Sequence, residues 1–207
     1  MDATATDTVF RPAAAGDLDA IAAIFGHYVT TSVVTFETTP PTAEYWRRTR
    51  DDVDQRGLPF LVCEYADQVV GYAYAAPWRA KPAYRHTAES TIYLAPDHTG
   101  RGLGRLLLGV LLQHCARAGV EQVIAVVADS GNMASAALHL ACGFSEAGRL
   151  RNVGRKHGRL IDTLLFQCDL AAGAATTVRE LRLIRRSTRL STSGRTAACC
   201  SADCRSR

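Results

Sequence analysis

A mixed α/β sheet with helices on its faces is the fold class that this sequence predicts, and three observations lead to it. Stretches with apolar residues at helical spacing alternate with short runs rich in Val, Ile, Phe and Tyr. One such run, QVIAVVA at 122–128, is apolar throughout, as suits a strand covered on both faces. Another, PFLVCEYADQVVGYAYAA, reads as two strands around a tight turn.

The chain opens with a short strand in VFRP, followed by a helix whose face carries Leu18, Ile21, Phe25 and Tyr28 after the cap residue Asp17. Beyond Phe36 and the turn TTPPT, Ala43 to Arg56 predicts a polar second helix that stops at Gly57. The hairpin follows, with one strand to Tyr65, a turn at Ala66-Asp67-Gln68 and a second strand through Ala75. A long loop, PWRAKPAYRHTA, leads to a strand over Glu89 to Leu94, a glycine-rich loop and a helix from Leu103 to Ala118 closed by Gly119. After the strand 122–128, Asn132 to Ala141 predicts a helix ended by Gly143. Phe144 to Leu150 and Leu160 to Leu170 are expected as the last strands, joined by a basic loop RNVGRKHG.

Past Leu170 the composition changes to Ala, Ser, Thr and Arg without any aromatic residue. The expected organisation is therefore one folded domain over 1–170 and a basic tail over 171–207, disordered or weakly helical. With 207 residues there is length for one domain with a sizeable core. The net charge of +4 conceals an asymmetry: Ala171 to Arg207 carries +6, which leaves −2 on residues 1–170. A nucleic-acid or membrane-surface role would rest on the tail alone, so neither is expected as a partner. No window approaches a membrane span and the N-terminus has no basic stretch followed by an apolar run, so a cytoplasmic location is expected. Cys63, Cys115, Cys142 and Cys168 sit singly in apolar patterns, as small buried hydrophobes do, and no metal site is expected.

The segment ESTIYLAPDHTGRGLGRLLL at 89–108 carries the most information about function. Gly100, Gly102 and Gly104 lack a Cβ, so the backbone between a strand and a helix can turn several N–H groups onto one anion. The helix adds its positive N-terminal end, and Arg101 and Arg105 add full charges. A dinucleotide fingerprint needs Gly-x-Gly-x-x-Gly after the first strand, and a Walker loop needs Gly-Lys-Ser/Thr; neither occurs. A glycine-rich turn without a ligand is the alternative. In the strand, Glu89, Thr91 and Tyr93 alternate to one face, and Ser90, Ile92 and Leu94 to the other. Asn132, Ser135 and His139 follow at i, i+3 and i+7, on one helical face.

Strand, then Thr99-Gly100-Arg101-Gly102-Leu103-Gly104, then helix resembles the signature of the GNAT superfamily of N-acetyltransferases, with Thr99 where the family has Gln or Arg. Asn132, Ser135, Gly143 and Phe144 resemble a second block of that family. The stretches GHYVTTSVVTFETTP, GYAYAAPWRAKPAYRHTAESTIYLAPDHTGRGLG and Lys156-His157-Gly158 are similar to the phosphinothricin and methionine sulfoximine acetyltransferases, over about Val9 to Leu170.

The resemblance implies a GNAT-type, mostly antiparallel central sheet flanked by helices, acetyl-CoA as co-substrate without a metal, and a homodimer. It implies direct acetylation of the α-amino group of a small amino-acid analogue such as phosphinothricin, methionine sulfoximine or methionine sulfone, as in detoxification. Acetyl-CoA is expected against Ile92, Tyr93 and Leu94, the loop Thr99, Gly100, Arg101, Gly102, Leu103, Gly104 and Arg105, and Asn132 and Ser135. Glu89 takes the role of general base, and His139 that of an acid toward the departing thiolate or of a group orienting Glu89. Phe36, Tyr74, Tyr84 and Thr91 are expected at the acceptor, with Trp78 as a further wall and Arg79, Lys81 and Arg85 as cations for an anionic group. Glu37 stands where the herbicide-resistance enzymes commonly carry Arg, which fits better the relatives acting on methionine derivatives. Another amine acceptor, a polyamine or a protein N-terminus, or an acetyl-CoA-binding module without catalysis, are the alternative readings.

Overall fold

In the computed structural model, residues 8–173 are described. Seven strands form one sheet in the order β1 (Thr8–Pro12), β2 (Phe60–Tyr65), β3 (Gln68–Pro77), β4 (Thr87–Leu94), β5 (Gln122–Ala128), β7 (Arg159–Asp169) and β6 (Ser145–Lys156). Every neighbouring pair is antiparallel except β4 and β5. The expected mostly antiparallel sheet is the one observed. Five helices flank it: α1 (Leu18–Thr31), α2 (Ala43–Gln55), α3 (Leu103–Arg117), α4 (Ala134–Ala141) and the single turn α5 (Leu170–Gly173).

Strand alternation divides the core between the two faces. Phe60, Val62 and Tyr72 point toward α1 and α2, where they pack with Ile21, Phe25, Val29, Trp46 and Val53. Leu61, Cys63, Ala73 and Ala75 point the other way, onto Leu107, Leu108, Leu111 and Cys115 of α3. The helical spacing of Leu18, Ile21 and Phe25 thus marks a buried face, and Cys63, Cys115, Cys142 and Cys168 are free and buried.

One expectation is corrected. The basic segment 151–158 is not a loop: β6 runs on to Lys156 and turns back through only His157 and Gly158. A bulge between Leu150 and Gly154 absorbs the irregular part of the segment, with Asn152 at φ 56°. Asp162 holds it by accepting from the Asn152 N–H at 2.7 Å and from Arg149 Nε at 2.7 Å. An edge strand open to water tolerates such charged residues, so composition alone imitates a loop. The remaining expected elements are found with ends shifted by a few residues. Apart from residues 171–173, the basic tail lies outside the described residues. No helix among the described residues is long and apolar enough to cross a membrane.

What positions the site is the brevity of the β4–β5 pairing. It covers only Thr87↔Gln122 to Ser90↔Ala125, while β3 follows β4 as far as Leu94 and β7 follows β5 as far as Ala128. The two halves of the sheet therefore part beyond Ser90. Gly71 is where β3 must stay bare: a Cβ there would lie 2.4 Å from Leu94 Cδ2 and 3.1 Å from the Tyr93 carbonyl oxygen. Gly71→Ala is expected to cost about 1–3 kcal/mol through this overpacking, read as a lowered Tm in thermal unfolding; an unchanged Tm would show that the end of β4 yields freely.

Candidate active site

The parting strands enclose a cavity of about 740 Å³. Its walls are Glu89 to Leu94 of β4, Ala125 to Ala128 of β5, the glycine loop, the face of α4, and Tyr28 with Val34, Thr35 and Phe36 from α1 and the link after it. Because the cavity lies in the gap between strands, both faces of β4 border it. Ile92 and Leu94 lean toward the α3 side, and Tyr93 toward the α1 side.

At the loop end, Gly100 and Gly102 have φ of 71° and 80°, conformations that a side chain would strain. Gly102 is the residue before α3, and the first N–H groups of this 15-residue helix have no partner within it. Gly104 lies against Leu138 and Leu94 at 3.4–3.5 Å from where a Cβ would be, which draws α3 close to α4 and β4. Thr99 does not reach outward as a longer side chain would; its hydroxyl donates to the Pro96 carbonyl at 2.9 Å and closes the turn before the loop. Thr99, Gly100, Gly102, Gly104 and Arg105 line the cavity, whereas Arg101 is exposed outside it and the Leu103 side chain is buried in the core. A pyrophosphate fits this combination of turned backbone, helix N-terminus and basic side chain.

Beyond β5, Asn132 in the loop before α4 and Ser135 in its first turn line the same cavity. Asn132 Oδ1 accepts from the Ala134 N–H at 2.9 Å and so starts α4, leaving the amide NH₂ as its donor. The Ser135 carbonyl lies 2.7 Å from His139 Nδ1. A carbonyl can only accept, so the proton sits on Nδ1 and Nε2 carries the lone pair. His139 is 3% exposed, with its ring edge-on to Phe144 and stacked on Phe166. Burial pushes this imidazole below its ordinary pKa, and the bond to Ser135 opposes the shift only in part. At neutral pH it is an acceptor rather than a stored proton.

Glu89 borders the cavity beside Thr91. Burial raises its pKa above the ordinary glutamate value, and the positive charge of Arg79 pulls it back. Arg79 itself stands outside the cavity lining, with its guanidinium 4.4 Å above the Trp78 ring. Tyr74 pairs with Thr91 across β3 and β4 and hydrogen-bonds its side chain, but it faces a second cleft beside Tyr45 and Asp52 of α2. Tyr84 is 43% exposed, and it too lies outside the cavity lining. Of the expected acceptor residues, the fold brings Phe36 and Thr91 to the cavity wall and leaves Tyr74, Arg79 and Tyr84 around it.

Some wall residues escaped the sequence reading. Tyr28 sits on the apolar face of α1, yet its hydroxyl donates to the Leu94 carbonyl at 2.8 Å, at the parted end of β4. Thr35 hydrogen-bonds Tyr93, whose phenol burial pushes up to about 12. Both stand in the stretch GHYVTTSVVTFETTP, but only the fold brings them to the wall. Among the described residues no group of three His, Cys, Asp or Glu is placed to hold a metal ion.

Residues 21–144 match the family model described as Acetyltransferase (GNAT) family. The chain belongs to the GNAT acetyltransferases. Within that family it is 48% identical over 160 residues to a phosphinothricin N-acetyltransferase of Alcaligenes faecalis, covering 77% of this chain and 81% of the relative. To an L-methionine sulfoximine/L-methionine sulfone acetyltransferase of Pseudomonas aeruginosa it is 34% identical, over 77% of this chain and 93% of the other. A GNAT superfamily phosphinothricin acetyltransferase from Sinorhizobium meliloti, solved in complex with acetyl-CoA, superposes with a TM-score of 0.77 at 37% identity, covering 83% of this chain and 92% of that one. A GNAT enzyme acetylates, so a pH profile can read the cavity's electrostatics. The limb of kcat/KM that rises as Glu89 ionises should lie above the ordinary glutamate range. Arg79→Met should move it to still higher pH, since it removes the charge that favours the carboxylate; a limb that stays in place would show that Glu89 ionisation does not govern turnover.

Proposed function

We propose that this chain transfers the acetyl group of acetyl-CoA directly to the α-amine of a phosphinothricin-like amino acid: phosphinothricin, methionine sulfoximine or methionine sulfone. The observation that carries the reading is the convergence of Glu89, His139 and the glycine loop on one cavity, together with the activities for which the relatives are named.

The amine must shed a proton to expose its lone pair. Glu89 is the base in this reading: burial raises its pKa toward neutrality, and its carboxylate form can take the proton directly or through a water. The amine nitrogen then bonds to the thioester carbonyl carbon, and the carbon–sulfur bond breaks. The thiolate so formed needs a proton. His139, neutral and with Nε2 unprotonated, cannot supply one as it stands; it can take one first and pass it on, or, as an acceptor, orient a water or a Glu89 that has taken the amine proton. The backbone around Gly102 and the start of α3, with Arg105, holds the pyrophosphate, and Asn132 and Ser135 meet the arm that carries the thioester. Positioning of two substrates in the parted strands does much of the work, since no covalent intermediate is needed. Phe36 and Thr91 contact the acceptor, and Tyr74, Arg79 and Tyr84 complete its surroundings from outside the cavity wall.

The same reading makes the protein a cytoplasmic, detoxifying homodimer whose acetyltransferase domain spans 1–170. Leu150, Val153 and Leu160, exposed on the β6–β7 hairpin, offer an apolar surface for such an assembly.

Thiol release with the three amino acids, a polyamine and a peptide N-terminus separates the acceptor readings. Turnover confined to the amino-acid analogues is expected; turnover of only the polyamine or peptide would overturn the assignment. Glu89→Gln should lower kcat by about 10²–10⁴ while calorimetry finds coenzyme binding within about twofold of the parent.

A further inference from the structure

The stretch Lys156-His157-Gly158 is unused by the chemistry above, yet it carries one of the few buried charges in the fold. Lys156 is 4% exposed, which is rare for a lysine. It ends β6 and pairs with Arg159, and the two residues between them, His157 at φ 48° and Gly158 at φ 73°, both occupy the left-handed region of a type I′ turn. This tight turn fixes where the lysine stands. Its Nζ donates to the Thr35 carbonyl at 2.9 Å, a bond that joins positions 121 residues apart. Burial lowers the pKa of this ammonium below the ordinary lysine value, and the carboxylate of Glu37, two residues beyond Thr35, opposes that shift.

A second contact comes from the same strand. A Cβ on Gly154 would lie 2.0 Å from Phe36 Cε1 and 2.5 Å from Cδ1, so the phenyl ring occupies the place of a side chain there. The hairpin thus holds two successive residues of the link between α1 and α2, the carbonyl of Thr35 by an ammonium and the ring of Phe36 by a bare glycine. Both of these residues line the cavity. Thr35 also bonds Tyr93, on the same face of β4 as Thr91 and Glu89. Between Ser32 and Thr42 the link has neither helix nor strand to set its path, so its geometry depends on contacts of this kind.

We propose that Lys156 is a positioning residue for the acceptor: by holding the Thr35 carbonyl, with Gly154 seating Phe36, it fixes the Thr35–Phe36 wall of the cavity. The proposal rests on the reading that the acceptor meets this wall, and it adds a determinant of acceptor binding that touches neither substrate.

The test uses the full-length chain with Lys156→Met, Lys156→Arg and Gly154→Ala. Hydrogen exchange of the amides of residues 34–37 is followed without substrate, and KM and kcat are measured with whichever amine the parent acetylates. Lys156→Met, which keeps the length and loses the donor, should speed exchange at 34–37 and raise the acceptor KM, each about tenfold or more, as loss of a charged hydrogen bond implies. The Kd for acetyl-CoA should stay within about twofold. Lys156→Arg should restore part of the loss, and Gly154→Ala should raise the acceptor KM by displacing Phe36. Parent-like exchange and acceptor KM in Lys156→Met would overturn the proposal, as would faster exchange with an unchanged KM, or equal losses toward acceptor and acetyl-CoA. If the parent acetylates none of the amines, the acceptor reading fails by itself, and parent-like exchange at 34–37 in Lys156→Met still overturns the clamp. Should Lys156→Met not fold, the KM of Lys156→Arg and Gly154→Ala decides, and a parent-like value in both overturns it.

Discussion

The site depends on a parallel strand pair that is given up after four residues. Had β4 and β5 stayed together beyond Ser90 and Ala125, their backbone groups would have satisfied one another and the sheet would have been closed. Parting leaves a cavity whose walls include both faces of β4 and one edge of β5. The parted ends are nevertheless fastened from behind: β3 pairs with β4 to Leu94, β7 with β5 to Ala128, and Tyr28 donates to the Leu94 carbonyl. A gap between strands is stable here because each side keeps its own antiparallel partner.

The same cavity sets the protonation of the two titratable groups proposed for catalysis. Burial raises the carboxyl of Glu89 and lowers the imidazole of His139, in each case by penalising the charged form, so the two values move toward one another. Arg79 limits the first shift from outside the cavity. The carbonyl of Ser135, one turn earlier on α4, fixes which nitrogen of His139 holds the proton. These are consequences of position rather than of residue type, and they favour an acceptor at Nε2 over an acid poised in advance.

Much of this architecture could be read from residue order. Two apolar runs around a tight turn marked the β2–β3 hairpin, and the helical spacing of Leu18, Ile21 and Phe25 marked a buried face. The glycine loop was legible because Gly100 and Gly102 must adopt positive φ, a demand that leaves a trace in residue type. The β6–β7 hairpin was misread because Asn152, Gly154 and a run of charges resemble a loop, while an exposed edge strand admits the same residues. Tyr28 and Thr35 escaped notice as wall residues because their roles arise from contacts across 66 residues in one case and from an unpatterned link in the other.

By itself, the sequence determined the order of elements, the glycine-rich turn between β4 and α3 and the resemblance that matches GNAT relatives along most of the chain. These are local properties: periodicity, glycine placement and short-range spacing. The tertiary structure alone decided that β4 and β5 separate, that His139 presents a lone pair, that Arg79 and Tyr84 stand back from the cavity, and that Lys156 reaches Thr35. Each of these depends on which distant backbone and side-chain groups meet once the chain is folded, and no spacing along the sequence encodes a contact between residues that approach only through the sheet.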